Sequence, residues 1–94
     1  IFINTARGGF QNEKDLYEAL KSETIWGAGL DVTNPEPMEK SNPLLQLSRV
    51  CVLPHIGSAT IEARNGMAKI SAENAVAFSE GKKMKTCVNP EVYQ

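Results

Sequence analysis

Three short apolar runs, each leading to a charged or ionisable residue, set the limits on what these 94 residues can build. Ile1–Asn4 leads to Arg7, Ile25–Leu30 to Asp31, and Val50–Pro54 to His55, the only histidine. Ile1-Phe2-Ile3 lacks apolar/polar alternation, which fits a strand buried on both faces, as in parallel sheets. After it, Asn12 reads as an N-cap, with Glu13 and Asp15 in the first turn, where carboxylates meet the positive end of the helix dipole. Leu16, Tyr17 and Leu20 fall at helical spacing. The pattern predicts a helix over Glu13–Lys21 and a second strand over Ile25–Val32, hence a right-handed βαβ unit. Neighbouring parallel strands would bring all three polar ends to one sheet edge, where open α/β sheets bind ligands.

The remaining pattern extends this frame. Asn34-Pro35-Glu36-Pro37 is a rigid loop, because a residue before proline is held extended. Asn42-Pro43 starts a single helical turn over Leu44–Leu47, and Val50–Leu53 is the third strand. From about Thr60 a helix of some twenty residues is expected, closing at Gly81 as its C′ residue. Ala63, Met67, Ile70, Asn74, Ala77 and Phe78 mark one face of it, and Cys87-Val88 is expected as a short edge strand. The chain opens on Ile1, inside a strand-like run, and is read as a piece of something longer.

Composition excludes several partners. A net charge of −1 gives no excess of Lys and Arg for nucleic acid, and no apolar run approaches the roughly 18 residues of a membrane span. Cys51 and Cys87 read as packing residues, a disulfide being disfavoured in a chain that otherwise reads as cytoplasmic. Cys51 and His55, four apart on a strand, would stand about 13 Å from each other, so no metal site is expected.

The sheet edge carries the chemistry. Arg7 offers a guanidinium fork that grips a carboxylate through two parallel hydrogen bonds, and Gly8-Gly9 lets a ligand approach the backbone. Glu36, five residues past Asp31, adds a second carboxylate, so the edge holds a cation, two acids and an imidazole. That is the inventory of an acid/base site for an anionic substrate. Singly, each residue has a duller role: a solvated arginine, a loop acid, a capped histidine. Their joint placement favours the site.

Asn4-Thr5-Ala6-Arg7-Gly8, Gly29-Leu30-Asp31-Val32 with Glu36-Pro37, and Leu53-Pro54-His55-Ile56-Gly57-Ser58-Ala59-Thr60 together resemble the D-isomer-specific 2-hydroxyacid dehydrogenases in order and spacing. The stretch from His55, with Glu62-Ala63-Arg64 behind it, is most similar to the glyoxylate/hydroxypyruvate reductase and 2-ketogluconate reductase branch. The resemblance implies an α/β fold: the C-terminal part of a Rossmann-like, doubly wound parallel sheet plus a long interdomain helix. Residues 1–60 would belong to the NAD(P)-binding domain, and 61–94 would be the interdomain helix and a tail returning to the substrate domain. The missing N-terminal part would complete the protein, a homodimer with NAD or NADP as cofactor and a small 2-keto acid as substrate.

By the same resemblance, Arg7 binds the substrate carboxylate and polarises the keto oxygen, and His55 protonates that oxygen as hydride arrives. Glu36 orients the imidazole and favours its charged form. Thr5, Ala6 and Arg7 would line the cofactor, Asp31 would accept a hydrogen bond from the nicotinamide carboxamide, and His55, Ile56 and Gly57 would lie over the nicotinamide. The family's Gly-x-Gly-x-x-Gly loop and its NAD/NADP selector are absent from these residues and are expected upstream. Glu23 stands where the family often has Gly, which predicts a less clean helix stop. Glu36 argues for hydroxyacid chemistry, since the related formate dehydrogenases carry Gln there. Non-catalytic NAD(H)-sensing co-regulators of this fold keep the same Arg/Glu/His set, so that alternative stays open.

Overall fold

In a computed structural model, which describes residues 1–94, β1 (Phe2–Asn4), α1 (Glu13–Lys21) and β2 (Ala28–Leu30) form the expected βαβ unit, and β3 (Val50–Val52) extends its sheet. The strands are all parallel, in the order β1-β2-β3, with Ile3 opposite Gly29 and Gly29 opposite Cys51. α1 starts where Asn12 accepts the N–H groups of Lys14 and Asp15. It stops without glycine: Glu23 takes the left-handed conformation itself, at φ 59°, and its carboxylate pairs with Arg49 at 2.8 Å. β2 is shorter than the Ile25–Val32 run because Ile25 donates its N–H to Ala19 of α1 rather than to a strand.

The core lies on one face of the sheet. Leu16 and Leu20 of α1 meet Ala28 and Leu30 of β2 and Leu44 of the 3₁₀ turn Pro43–Gln46, with Phe2, Val50 and Val52 packed around them. The alternate positions point to the other face, as the period of two requires. Ile1, Ile3, Trp26 and Cys51 are exposed there. Two expectations are thereby corrected: β1 is covered on one face only, and Cys51 is not a packing residue. Nothing in residues 1–57 covers that second face.

The chain resolves into two compact units, Ile1–Gly57 and Ser58–Gln94. The second consists of α2 (Ile61–Ser79), capped by the Thr60 side chain on the Ala63 N–H, and a tail. α2 ends as foreseen at Gly81, φ 69°, where Lys82 N–H reaches back to Ala77 and Gly81 N–H to Phe78. Of its expected inner face, Ala63, Asn74 and Ala77 are half-buried, while Met67, Ile70 and Phe78 are exposed. Cys87-Val88 forms no strand: Val88 is fully exposed, and Pro90–Tyr93 makes a 3₁₀ turn. The tail's polar groups find other partners, Thr86 at the Asn74 side chain and the Met84 N–H at the Tyr93 hydroxyl. No helix is long and apolar enough to cross a membrane.

Candidate active site

The site grows from the carboxyl ends of the three strands. At the end of β1, Asn4 is only 6% exposed, and its carboxamide organises the loop that follows. Oδ1 accepts the Ala6 N–H at 3.0 Å, while Nδ2 donates to the Arg7 carbonyl at 3.0 Å and to Gln11 Oε1 at 2.8 Å. Thr5, Ala6 and Arg7 are therefore exposed on a fixed loop. The next residue, Gly8, is buried with its backbone against the chain after β2; a Cβ there would lie 2.1 Å from the Thr33 carbonyl oxygen. Only glycine permits that approach.

At the end of β2, Asp31 is 5% exposed and uses both oxygens. They accept the N–H groups of Ile56 and Gly57, each at 2.8 Å. These bonds hold the Asp31 carboxyl below its ordinary range, the Ile56 N–H contributing most, against the opposing effect of burial. They also fix the turn after β3, in which His55 sits at φ 59°, a conformation few non-glycine residues adopt. A Cβ on Gly57 would come within 2.9 Å of Asp31 Oδ2, so the clamp needs glycine at that position.

His55 and Glu36 meet directly. His55 Nδ1 hydrogen-bonds Glu36 Oε1, and Glu36 Oε2 accepts the Thr33 N–H at 3.3 Å. The carboxyl of Glu36 is held below its ordinary range first by the imidazole, then by that N–H, and least by the charge of Arg7. The Asn34-Pro35-Glu36-Pro37 loop is fastened from below by Glu13, whose oxygens accept the Asn34 N–H at 3.2 Å and Asn42 Nδ2 at 2.7 Å. Beside Glu36 opens a largely apolar cleft of about 550 Å3, walled by Met38, Leu45, Leu53 and Pro54 among others.

The foreseen residues thus divide. Glu36 and His55 are in contact, and Asp31 is tied to Ile56 and Gly57. Arg7 touches neither acid; its Nη1 donates to the Ala6 carbonyl at 2.6 Å. Asn4, Gln11 and Thr33 were not foreseen. The available signal was Asn4, the one polar residue closing an otherwise apolar run. No group of three or more His, Cys, Asp and Glu side chains is arranged to hold a metal ion. The nicotinamide end of a dinucleotide fits the edge on one count: a carboxylate has about four acceptor positions. Asp31 uses one on each oxygen, so capacity remains for a carboxamide donor.

Residues 1–57 match the family model for the D-isomer specific 2-hydroxyacid dehydrogenase, NAD binding domain. The chain is 52% identical over 84 residues to the glyoxylate reductase/hydroxypyruvate reductase of Mus musculus, a match covering 89% of this chain and 26% of that protein. It is 50% identical over 92 residues to glyoxylate/hydroxypyruvate reductase B of Enterobacter agglomerans, covering 98% of this chain and 28% of that one. Among solved structures, the NADPH-dependent glyoxylate/hydroxypyruvate reductase of Sinorhizobium meliloti, in complex with NADP and malonate, superimposes with a TM-score of 0.79 at 38% identity. That match covers 94% of this chain and 27% of the reductase. The chain spans little more than a quarter of the length of the curated relatives it matches.

Proposed function

The chain belongs to the D-isomer specific 2-hydroxyacid dehydrogenase family, and from that premise we propose that it is the C-terminal portion of an NAD(P)-dependent reductase of small 2-keto acids. The substrates are of the glyoxylate, hydroxypyruvate or 2-ketogluconate type, and the products are D-2-hydroxy acids. In this reading residues 1–60 complete the dinucleotide-binding domain, and 61–94 are the interdomain helix and returning tail. The whole protein is a cytoplasmic homodimer, and the free thiols of Cys51 and Cys87 suit a reducing compartment.

The chain's residues handle charge and proton. Arg7 pairs with the substrate carboxylate and draws electron density toward the keto oxygen. With Nδ1 engaged by Glu36, His55 has Nε2 free, and protonated His55 gives that proton to the keto oxygen. The reduced nicotinamide, when bound, supplies hydride to the keto carbon. Glu36, kept ionised by its own hydrogen bonds, stabilises the imidazolium before transfer and accepts Nδ1–H after it. Thr5, Ala6 and Arg7 would line the cofactor, Asp31 would accept a hydrogen bond from its carboxamide, and His55, Ile56 and Gly57 would hold the nicotinamide end.

The observation that carries this reading is the His55–Glu36 hydrogen bond at the carboxyl edge of a parallel sheet. The test is turnover by the full-length protein of glyoxylate, hydroxypyruvate and 2-ketogluconate with NADH and with NADPH. Reduction of at least one is expected. Tight NAD(H) binding with no turnover of any would favour a dinucleotide-sensing co-regulator and overturn the reading.

A further inference from the structure

Arg7 is the least anchored member of the site: its side chain forms no ion pair, and its one side-chain hydrogen bond is to the neighbouring Ala6 carbonyl. A guanidinium that must meet a small anion in one orientation needs its backbone held, since a misplacement of about 1 Å costs on the order of 10² in rate. We propose that Asn4 is the positioning residue for Arg7, its buried carboxamide fixing the loop that delivers the guanidinium to the substrate. This rests on the reading of Arg7 as the anion-binding group.

Three observations carry it. The carboxamide is saturated, both Nδ2 hydrogens and Oδ1 being used across the four residues of the loop and its continuation at Gln11. The Arg7 carbonyl accepts two donors, Asn4 Nδ2 at 3.0 Å and the Phe10 N–H at 3.2 Å, so the Arg7 backbone is pinned although its side chain is exposed. The network also reaches the acid side of the site. Gln11, held by Asn4, donates to the Val32 carbonyl at 3.4 Å, one residue before the Thr33 N–H that binds Glu36. Gly8 presses on Thr33 from the same loop. Asn4 therefore sets Arg7 in register with the Glu36–His55 pair. No other side chain of this size offers two donors and an acceptor in one plane: aspartate has no donor and leucine neither.

The test uses the full-length protein with glyoxylate and NADPH, comparing Asn4→Ala, Asn4→Asp, Arg7→Ala and the Asn4→Ala/Arg7→Ala double variant. Both Asn4 variants are expected to raise the glyoxylate KM about tenfold or more, because the Arg7 carbonyl loses one of its two donors and Gln11 Oε1 loses the Asn4 donor. The NADPH KM should rise by a smaller factor than the glyoxylate KM, since Asn4 also holds Ala6 of the loop assigned to the cofactor, and Asn4→Asp should be no better than Asn4→Ala. In the Arg7→Ala background, Asn4→Ala should add less than about twofold to the loss in kcat/KM, since its effect runs through Arg7. Losses that multiply in that background, or that fall equally on both substrates, would assign Asn4 a structural role only and overturn the proposal. Should Asn4→Ala fail to fold, Gln11→Met keeps the bulk and removes one partner of Nδ2; it should raise the glyoxylate KM several-fold, and an unchanged KM overturns the proposal. Wild-type kcat/KM in Arg7→Ala would overturn the functional reading itself, and this inference with it.

Discussion

In the proposed mechanism Glu36 and His55, which hydrogen-bond each other, divide one task between charge and proton, and single substitutions separate them. Glu36→Gln keeps a hydrogen-bonding atom near His55 Nδ1 but removes the charge that stabilises the imidazolium, so kcat should fall about 10- to 100-fold while folding is retained. Arg7→Lys keeps the charge and loses the planar fork; steady-state kinetics should show the keto-acid KM raised about tenfold with a smaller effect on kcat. Asp31 has a lowered folded-state pKa, so the stability it contributes is complete above the ordinary carboxylate range and is lost as pH falls below about 4 through the lowered value. Urea unfolding of Asp31→Asn should accordingly show a shallower loss of stability on acidification than wild type. Arg7, Asp31 and His55 became candidates in the sequence because each lies just beyond an apolar run, and Glu36 because it stands five residues past Asp31 in a proline-flanked loop. Asn4, Gln11 and Thr33 were not, since their roles depend on where the carbonyls of Arg7 and Val32 and the second oxygen of Glu36 lie, and periodicity says nothing of those.

The elements were easier to foresee than their limits. α1 was readable to the residue because Asn12 caps it and Leu16 and Leu20 mark its inner face, and both are buried. The strands were over-extended, because the apolar run Ile25–Val32 also serves the helix exit and the turn beyond Leu30. Cys87-Val88 was misread because two residues of strand-like composition carry no information about a free sheet edge. The packing of these elements makes two substitutions informative. Leu44 is fully buried between α1 and the sheet, so Leu44→Ala should cost about 2–5 kcal/mol in chemical denaturation. Gly8→Ala would drive a methyl group into the Thr33 carbonyl and should cost about 1–3 kcal/mol or more. Because Thr33 holds Glu36, that variant should also lose activity beyond what its stability explains.

On the scale of the whole unit Ile1–Gly57, the edge proposed as catalytic belongs to a sheet whose second face, with Ile1, Ile3 and Trp26, is covered by nothing within that unit. Exposed apolar area of this kind, next to unpaired strand edges, favours association. Sedimentation of the purified 94-residue chain should show concentration-dependent self-association, weakened by Ile3→Lys. The same chain should show no keto-acid-dependent NADH oxidation, because its residues include no Gly-x-Gly-x-x-Gly phosphate loop. Parallel topology followed from the helix between the first two runs, whereas the open face did not, since alternation could not say what covers each side. The decisive measurement is the rate of NADPH oxidation with glyoxylate by the full-length protein carrying His55→Gln. We expect kcat to fall on the order of 10² to 10⁴, with glyoxylate and NADPH still bound. A wild-type rate in that variant would contradict the assignment of His55 as the proton donor and, with it, the catalytic role of the whole edge.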